Sequence, residues 1–173
     1  MNVLDAIKSR REITNFLDKE IETNVLEKIV DAAFYAPSGN NLPSKEVIIV
    51  RNNEKLQSLA QTTPFMNWME NAKAAIVITG RPDVSKYWLQ DASIAAGFTW
   101  LEVVEQGLGA AFGAVYHAED QDESKKREDH ARAVCNIPSD RRVVAILGIG
   151  YPKETPKPKK HLPKEDIVHY ETF

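Results

Sequence analysis

Arg10 and Arg11 stand side by side in Ser9-Arg10-Arg11-Glu12-Ile13-Thr14-Asn15-Phe16, and a second basic knot, Lys157-Pro158-Lys159-Lys160-His161, lies near the other end of the sequence. A guanidinium is a planar fork of donors suited to phosphate oxygens. A phosphate monoester carries about 1.5 to 2 negative charges near neutrality and needs several such donors. Taken alone, the arginine pair reads first as a solvated surface feature. The basic knot alone reads equally as a disordered tail or a nonspecific polyanion contact. A third group is Ala36-Pro37-Ser38-Gly39-Asn40-Asn41-Leu42-Pro43. Its glycine permits close backbone approach and its asparagines offer donors and acceptors, so the octet can read the polar edge of a planar heterocycle. The same residues also make an ordinary helix-to-strand connection.

Other chemistries find no support. Gly107-Leu108-Gly109-Ala110-Ala111-Phe112-Gly113 has the wrong spacing for a dinucleotide fingerprint and follows a helix instead of a strand. No Walker loop or Gly-x-Ser-x-Gly elbow occurs, and His117, His130, His161 and His169 are scattered, so neither a metal site nor a nucleophilic catalytic residue is expected. The single cysteine, Cys135, excludes an internal disulfide and reads as a packing residue in a helix.

The elements that must position these groups follow from periodicity. Asn2 caps a short helix that delivers the basic pair. Asn24 and Glu27 have capping-box spacing, and Val25, Leu26, Ile29, Val30 and Ala33 recur at helical intervals until Pro37. Val47–Val50 and Ala74–Thr79 read as buried strands, with a helix through Leu56 and Leu59 capped by Asn52 or Asn53. Pro64–Met69 is apolar but irregular, the composition of a lid. Trp88–Gln106 is the longest helix, about 28 Å, stopped by Gly107. Its interior Gly97 gives up about 1 kcal/mol of helix propensity, which predicts close approach of another backbone. A third strand over Phe112–Tyr116, a charged helix over Ser124–Asn136 and a fourth strand over Val143–Leu147 complete the pattern. Pro152, Pro156, Pro158 and Pro163 forbid regular structure until Glu165.

With 173 residues, 43% of them hydrophobic, the chain fits one domain spanning 1–173. A formal net charge of -3 gives no general attraction to nucleic acid or anionic lipid. No stretch approaches the ~20 apolar residues of a membrane span, and no leader pattern opens the sequence, so a cytoplasmic protein is expected.

In order, the arginine pair, APSGNN, GLGAAFG after a long helix, GIGYP and PKKHLP resemble the landmarks of the nitroreductase family, and they run from Ser9 to Pro163. The resemblance implies an α+β fold, a mixed, mainly antiparallel central sheet flanked by helices, assembled as a homodimer with FMN between subunits. It implies NADH or NADPH as donor and a nitroaromatic, quinone or similar small planar acceptor, reduced in ping-pong fashion. No nucleic acid or membrane partner is implied. An FMN-storage or regulatory module, and a flavin-consuming or dehalogenating relative of the same fold, are the other readings. Residue by residue, Arg10 stands at the family's first phosphate arginine, with Arg11 beside it. Glu12 and Thr14 take the next alternate positions, where a small hydroxyl residue and a basic one are usual. Lys159 aligns with a phosphate lysine, and His161 with a position usually held by arginine. Pro37, Ser38, Gly39, Asn40 and Asn41 resemble the loop at the flavin's pyrimidine edge, with either asparagine facing the ring. The usual Gln-Pro-Trp is Leu42-Pro43-Ser44 here. Gly113 and Ala114 resemble the stretch whose backbone approaches the redox edge, and the tail 152–173 is expected to reach the cofactor site or the partner subunit.

Overall fold

Alternation of side chains along two runs, Ala74–Gly80 and Arg142–Gly150, organises the molecule, because every residue of the first and all of the second beyond Arg142 are buried. In the computed structural model, which describes residues 1–173, the elements are α1 (Val3–Ser9), α2 (Thr23–Tyr35), β1 (Lys45–Val50), α3 (Asn53–Leu59), β2 (Ala74–Gly80), α4 (Trp88–Glu105), β3 (Gly109–Ala114), α5 (Gln121–Cys135) and β4 (Arg142–Gly150). The strands form one sheet ordered β1-β2-β4-β3, each neighbouring pair antiparallel. Period-two alternation sends Ala75 and Val77 to one face and Ala74, Ile76 and Ile78 to the other. The first face packs on Leu56 and Leu59 of α3, Ala131 of α5 and the methionines Met66 and Met69. The second packs on Leu26 and Ile29 of α2 and Ala92, Ala96 and Val103 of α4. A sheet buried on both faces is the reason its central strands read as continuous apolar runs. A bulge where the β2–β4 register shifts between Ile78 and Thr79 leaves Val144 as the extra residue of β4. The carbonyl of Val144 accepts from the N–H groups of Val115 and Tyr116, which ties the end of β3 in place.

Caps set most boundaries. The Asn2 side chain accepts from Asp5 N–H, Asn52 from Lys55 N–H and Asp120 from Glu123 N–H, while Asn136 ends α5 in the left-handed region. Several expectations need correction. The Asn24–Glu27 capping box does not form: α2 already begins at Thr23, after an uncapped Glu22, so Asn24 lies inside the helix. β1 is not buried, since as an edge strand it exposes Glu46 and Ile49. Residues 64–69 are no lid: Met66 and Met69 are core residues, and a short 3-10 turn spans Asn67–Asn71. No backbone of the chain approaches Gly97, because a Cβ there would meet open space. The third strand lies at Gly109–Ala114, ahead of the expected 112–116. α5 starts earlier than expected, at Gln121.

The N-terminal segment reaches the sheet through close backbone approach. Glu12 bridges to Ala110 in parallel and Phe16 to Pro152 in antiparallel sense, with Ile13 N–H donating to Ala110 O at 3.0 Å and Leu17 N–H to Tyr151 O at 2.8 Å. Gly109 and Gly150 make room for this: a Cβ at either would lie within 2.7 Å of Ile13 or Phe16 side-chain atoms. The segment thereby extends the β3 edge and places residues 10–15 against residues 154–159.

Candidate functional site

The cleft between those two stretches has a volume of about 570 Å³ and is lined by Arg10, Arg11, Glu12, Thr14 and Asn15 on one wall and Glu154, Thr155, Lys157 and Lys159 on the other. Cations from both ends of the polypeptide therefore meet in one place. Each is held differently. The Arg10 guanidinium lies 4.4 Å from the centroid of the Trp100 ring, which itself stacks on Phe112 at 6.0 Å. Arg11 spends its donors on backbone: Nη1 donates to the carbonyls of Lys8 at 2.7 Å and Arg10 at 2.8 Å, and Nε donates to the Lys157 carbonyl at 3.1 Å. It clasps the two walls together and leaves Nη2 without a hydrogen-bond partner in the chain. Glu12 Oε1 accepts from Phe112 N–H at 2.8 Å. Glu12 is exposed overall, but partial desolvation of its carboxyl by the walls pushes it up, against the opposing pull of that N–H and of Arg10.

The Pro37–Asn41 loop forms a separate groove of about 530 Å³, where Pro37, Ser38 and Asn41 sit beside Phe34, Tyr35 and Lys45. Asn40 and Asn41 both have left-handed backbone, φ 55° and 56°, which asparagine tolerates. Both remain exposed. The turn is closed by Asn41 N–H to Ser38 O and Leu42 N–H to Gly39 O, and the Ser38 hydroxyl donates to Leu42 O at 2.7 Å. Beneath it, Asp91 of α4 is buried and accepts from Gly39 N–H at 3.0 Å and from the Ser44 hydroxyl. Lys45 donates to the Ala36 carbonyl at 2.7 Å; burial pushes its amine down, and the nearby Asp91 charge opposes this.

The structure thus brings Arg10, Arg11, Glu12, Thr14 and Lys159 into one cleft, while Pro37, Ser38 and Asn41 line the other groove and Gly39 and Asn40 share their turn but lie outside that lining. Gly113 and Ala114 continue the strand that anchors Glu12. Gly113 is packed under Met66, and Ala114 is exposed. His161 is exposed and outside the cleft lining. Sequence reasoning missed Asp91 and the orienting role of Trp100. The available signal for Asp91 was a lone carboxylate beside Ala92 on an otherwise apolar helical stripe.

Fold and cleft together define an α+β domain with a cleft lined by four cationic side chains at the β3 edge of its sheet. A family model described as "Nitroreductase family" matches residues 7–64, which carry both Arg10 and the asparagine loop. A relative in Methanothermobacter thermautotrophicus, named for NADH dehydrogenase/NAD(P)H nitroreductase, is 33% identical over all of this chain and 88% of its own. A solved FMN-dependent nitroreductase from Clostridium difficile superposes with a TM-score of 0.86 at 33% identity, covering 98% of this chain and 99% of the other. A solved Bacteroides thetaiotaomicron protein, also named for NADH dehydrogenase/NAD(P)H nitroreductase, has a TM-score of 0.90 at 28% identity, covering 99% and 98%. The chain belongs to the nitroreductase family.

Proposed function

We propose that this oxidoreductase binds FMN, takes electrons from NADH or NADPH, and passes them to a small planar acceptor such as a nitroaromatic or a quinone, as a cytoplasmic homodimer. The observation that carries the reading is the meeting of Arg10 and Arg11 with Lys157 and Lys159 across one cleft. That donor set fits a phosphate monoester: forked guanidinium on one side, mobile ammonium on the other. The relatives point the same way, one of them being an FMN-dependent nitroreductase.

Bound FMN supplies the redox chemistry, accepting hydride from the nicotinamide and delivering electrons to the acceptor. The chain's own residues bind and orient. Arg10, Arg11 and Lys159 would hold the phosphate, Asn40 or Asn41 would read the polar edge of the ring, and the backbone at Gly113 and Ala114 would lie toward the ring. No side chain has to act as nucleophile. Because the phosphate cleft and the asparagine loop open separately within one chain, a second copy is the natural source of the loop that completes each site. Large apolar side chains left exposed on α1, α2 and α4, among them Val3, Leu4, Phe34 and Phe98, supply a surface for it. The tail 152–173, exposed beyond Pro152, reaches toward that site or that partner.

The test is the purified protein's visible spectrum together with its steady-state kinetics. A flavin spectrum and parallel double-reciprocal lines for donor and acceptor are expected, since both substrates use one cleft in turn. A colourless protein that ignores added FMN would sink the proposal, and intersecting lines would sink the ping-pong order.

A further inference from the structure

Four cations line the cleft, but so do two carboxylates, Glu12 and Glu154, and Glu12 is the one fixed in orientation. Its Oε1 is tied to Phe112 N–H at 2.8 Å, on the strand behind it. A carboxyl that accepts through one oxygen carries any proton on the other. The tether therefore leaves Oε2 as the atom available to a ligand, either as a negative charge or as an O–H donor. Resting on the FMN reading above, we infer that Glu12 is a proton switch on phosphate binding: protonated, its free oxygen donates to the bound phosphate; ionised, it repels it.

The groups that set the switch are close at hand. Arg10 and Arg11 come from its own segment, and Lys157, Lys159 and Glu154 from the opposite wall. β3 behind it carries no titratable side chain, and α4 contributes through the Trp100 ring that holds Arg10. Desolvation already lifts the carboxyl above its usual range in the free protein, with the Phe112 N–H and Arg10 pulling the other way. A phosphate dianion placed in the cleft lifts it further. Linkage then fixes the sign: affinity for a phosphorylated ligand is highest below the free protein's value, falls as pH rises toward the bound value, and is flat above it. Riboflavin, which lacks the phosphate, escapes the effect.

The experiment compares dissociation constants of FMN and riboflavin, by flavin fluorescence, for the full wild-type chain and Glu12→Gln from about pH 5 to about pH 8, a span chosen around the second ionisation of a phosphate near ~6 and a raised carboxyl. Glutamine keeps an oxygen for Phe112 N–H and removes the titration. FMN's own protonation is common to both proteins and cancels in their ratio. The expected result is wild-type FMN binding about tenfold weaker than the variant's at the alkaline end, equivalent to one unit of coupling, with the ratio closing toward one as pH falls. The riboflavin ratio stays near one throughout and reports that the variant is folded. An FMN ratio that does not change with pH, or a riboflavin ratio that changes with it, overturns the switch alone. Absence of flavin binding by the wild-type chain overturns the proposed function and the switch with it, and loss of binding in Glu12→Gln alone overturns only the switch.

Discussion

Arg10 owes its orientation to an indole. A guanidinium stacked 4.4 Å from the Trp100 centroid has lost much of its rotamer freedom before any anion arrives. Arg10→Ala should weaken FMN binding by about ten- to a hundredfold, the range of a charge-assisted hydrogen bond. Trp100→Leu keeps the charge and loses the platform, so a smaller loss, about three- to tenfold, is expected from the stacking energy. Equal affinity of Trp100→Leu and wild type, read by fluorescence titration, would show that the stack does not prepare the site. Away from the cleft, Glu128 is buried and accepts from Arg142, the Ser124 hydroxyl and Val143 N–H. Burial alone would raise its carboxyl, but the Arg142 and Ser124 bonds and that N–H outweigh it and hold the group below the usual carboxylate range. A depressed folded value contributes stability that is present above the unfolded value and lost as pH falls through the folded one. Glu128→Gln should cost about 3 kcal/mol near neutrality, with the gap to wild type closing in denaturant melts taken at acid pH. The arginines and lysines of the cleft were legible as residue types suited to phosphate. Asp91 and Glu128 were not, because a buried carboxylate is recognised by its partners, and those lie far off in sequence.

At the scale of elements, α4 supports both ends of the candidate site. Asp91 in its first turn holds the asparagine loop, and Trp100 in its fourth holds Arg10. Asp91→Ala leaves Gly39 N–H and the Ser44 hydroxyl without their acceptor and should cost about 2–4 kcal/mol. Faster amide exchange at Gly39, with sheet amides unaffected, is the signature of loop loosening; unchanged exchange would argue against the tether. Gly109→Ala tests the other support. Its Cβ would fall 2.7 Å from that of Ile13, a stiff β-branched side chain, and overpacking of this kind costs about 1–3 kcal/mol. The N-terminal segment should lift from the β3 edge, and FMN binding should weaken more than it does in a distant variant of equal stability. Helix and strand positions were largely visible in the sequence, because caps and period changes are local. The edge status of β1 was not, since an apolar run reads alike in a central strand and in one with an exposed side. Gly97 misled for a related reason: lost propensity signals that something approaches the helix, and within this chain nothing does.

The whole molecule separates what the cofactor needs to have joined. One chain presents the cationic cleft in one place and the asparagine loop in another, with Ile94, Gly97 and Phe98 of α4 forming an apolar strip beside Arg10. The proposed homodimer accounts for all three. Phe98→Asp should give a folded monomer in sedimentation analysis that no longer retains FMN; a monomer with wild-type flavin affinity would mean that each chain completes its own site. The sheet order and the separation of the two openings were beyond the sequence read alone, because both depend on pairings between distant strands.

Arg11 gives this architecture a temporal character. Its guanidinium ties the carbonyl of Lys8 to that of Lys157, a contact spanning 146 positions from Arg11. Closing so long a loop is among the slower and entropically dearer events in folding. During synthesis the pocket cannot assemble until Lys157 has been made, so cofactor uptake would wait for a chain grown past that residue, and one stopped short of it would have no opportunity to capture flavin.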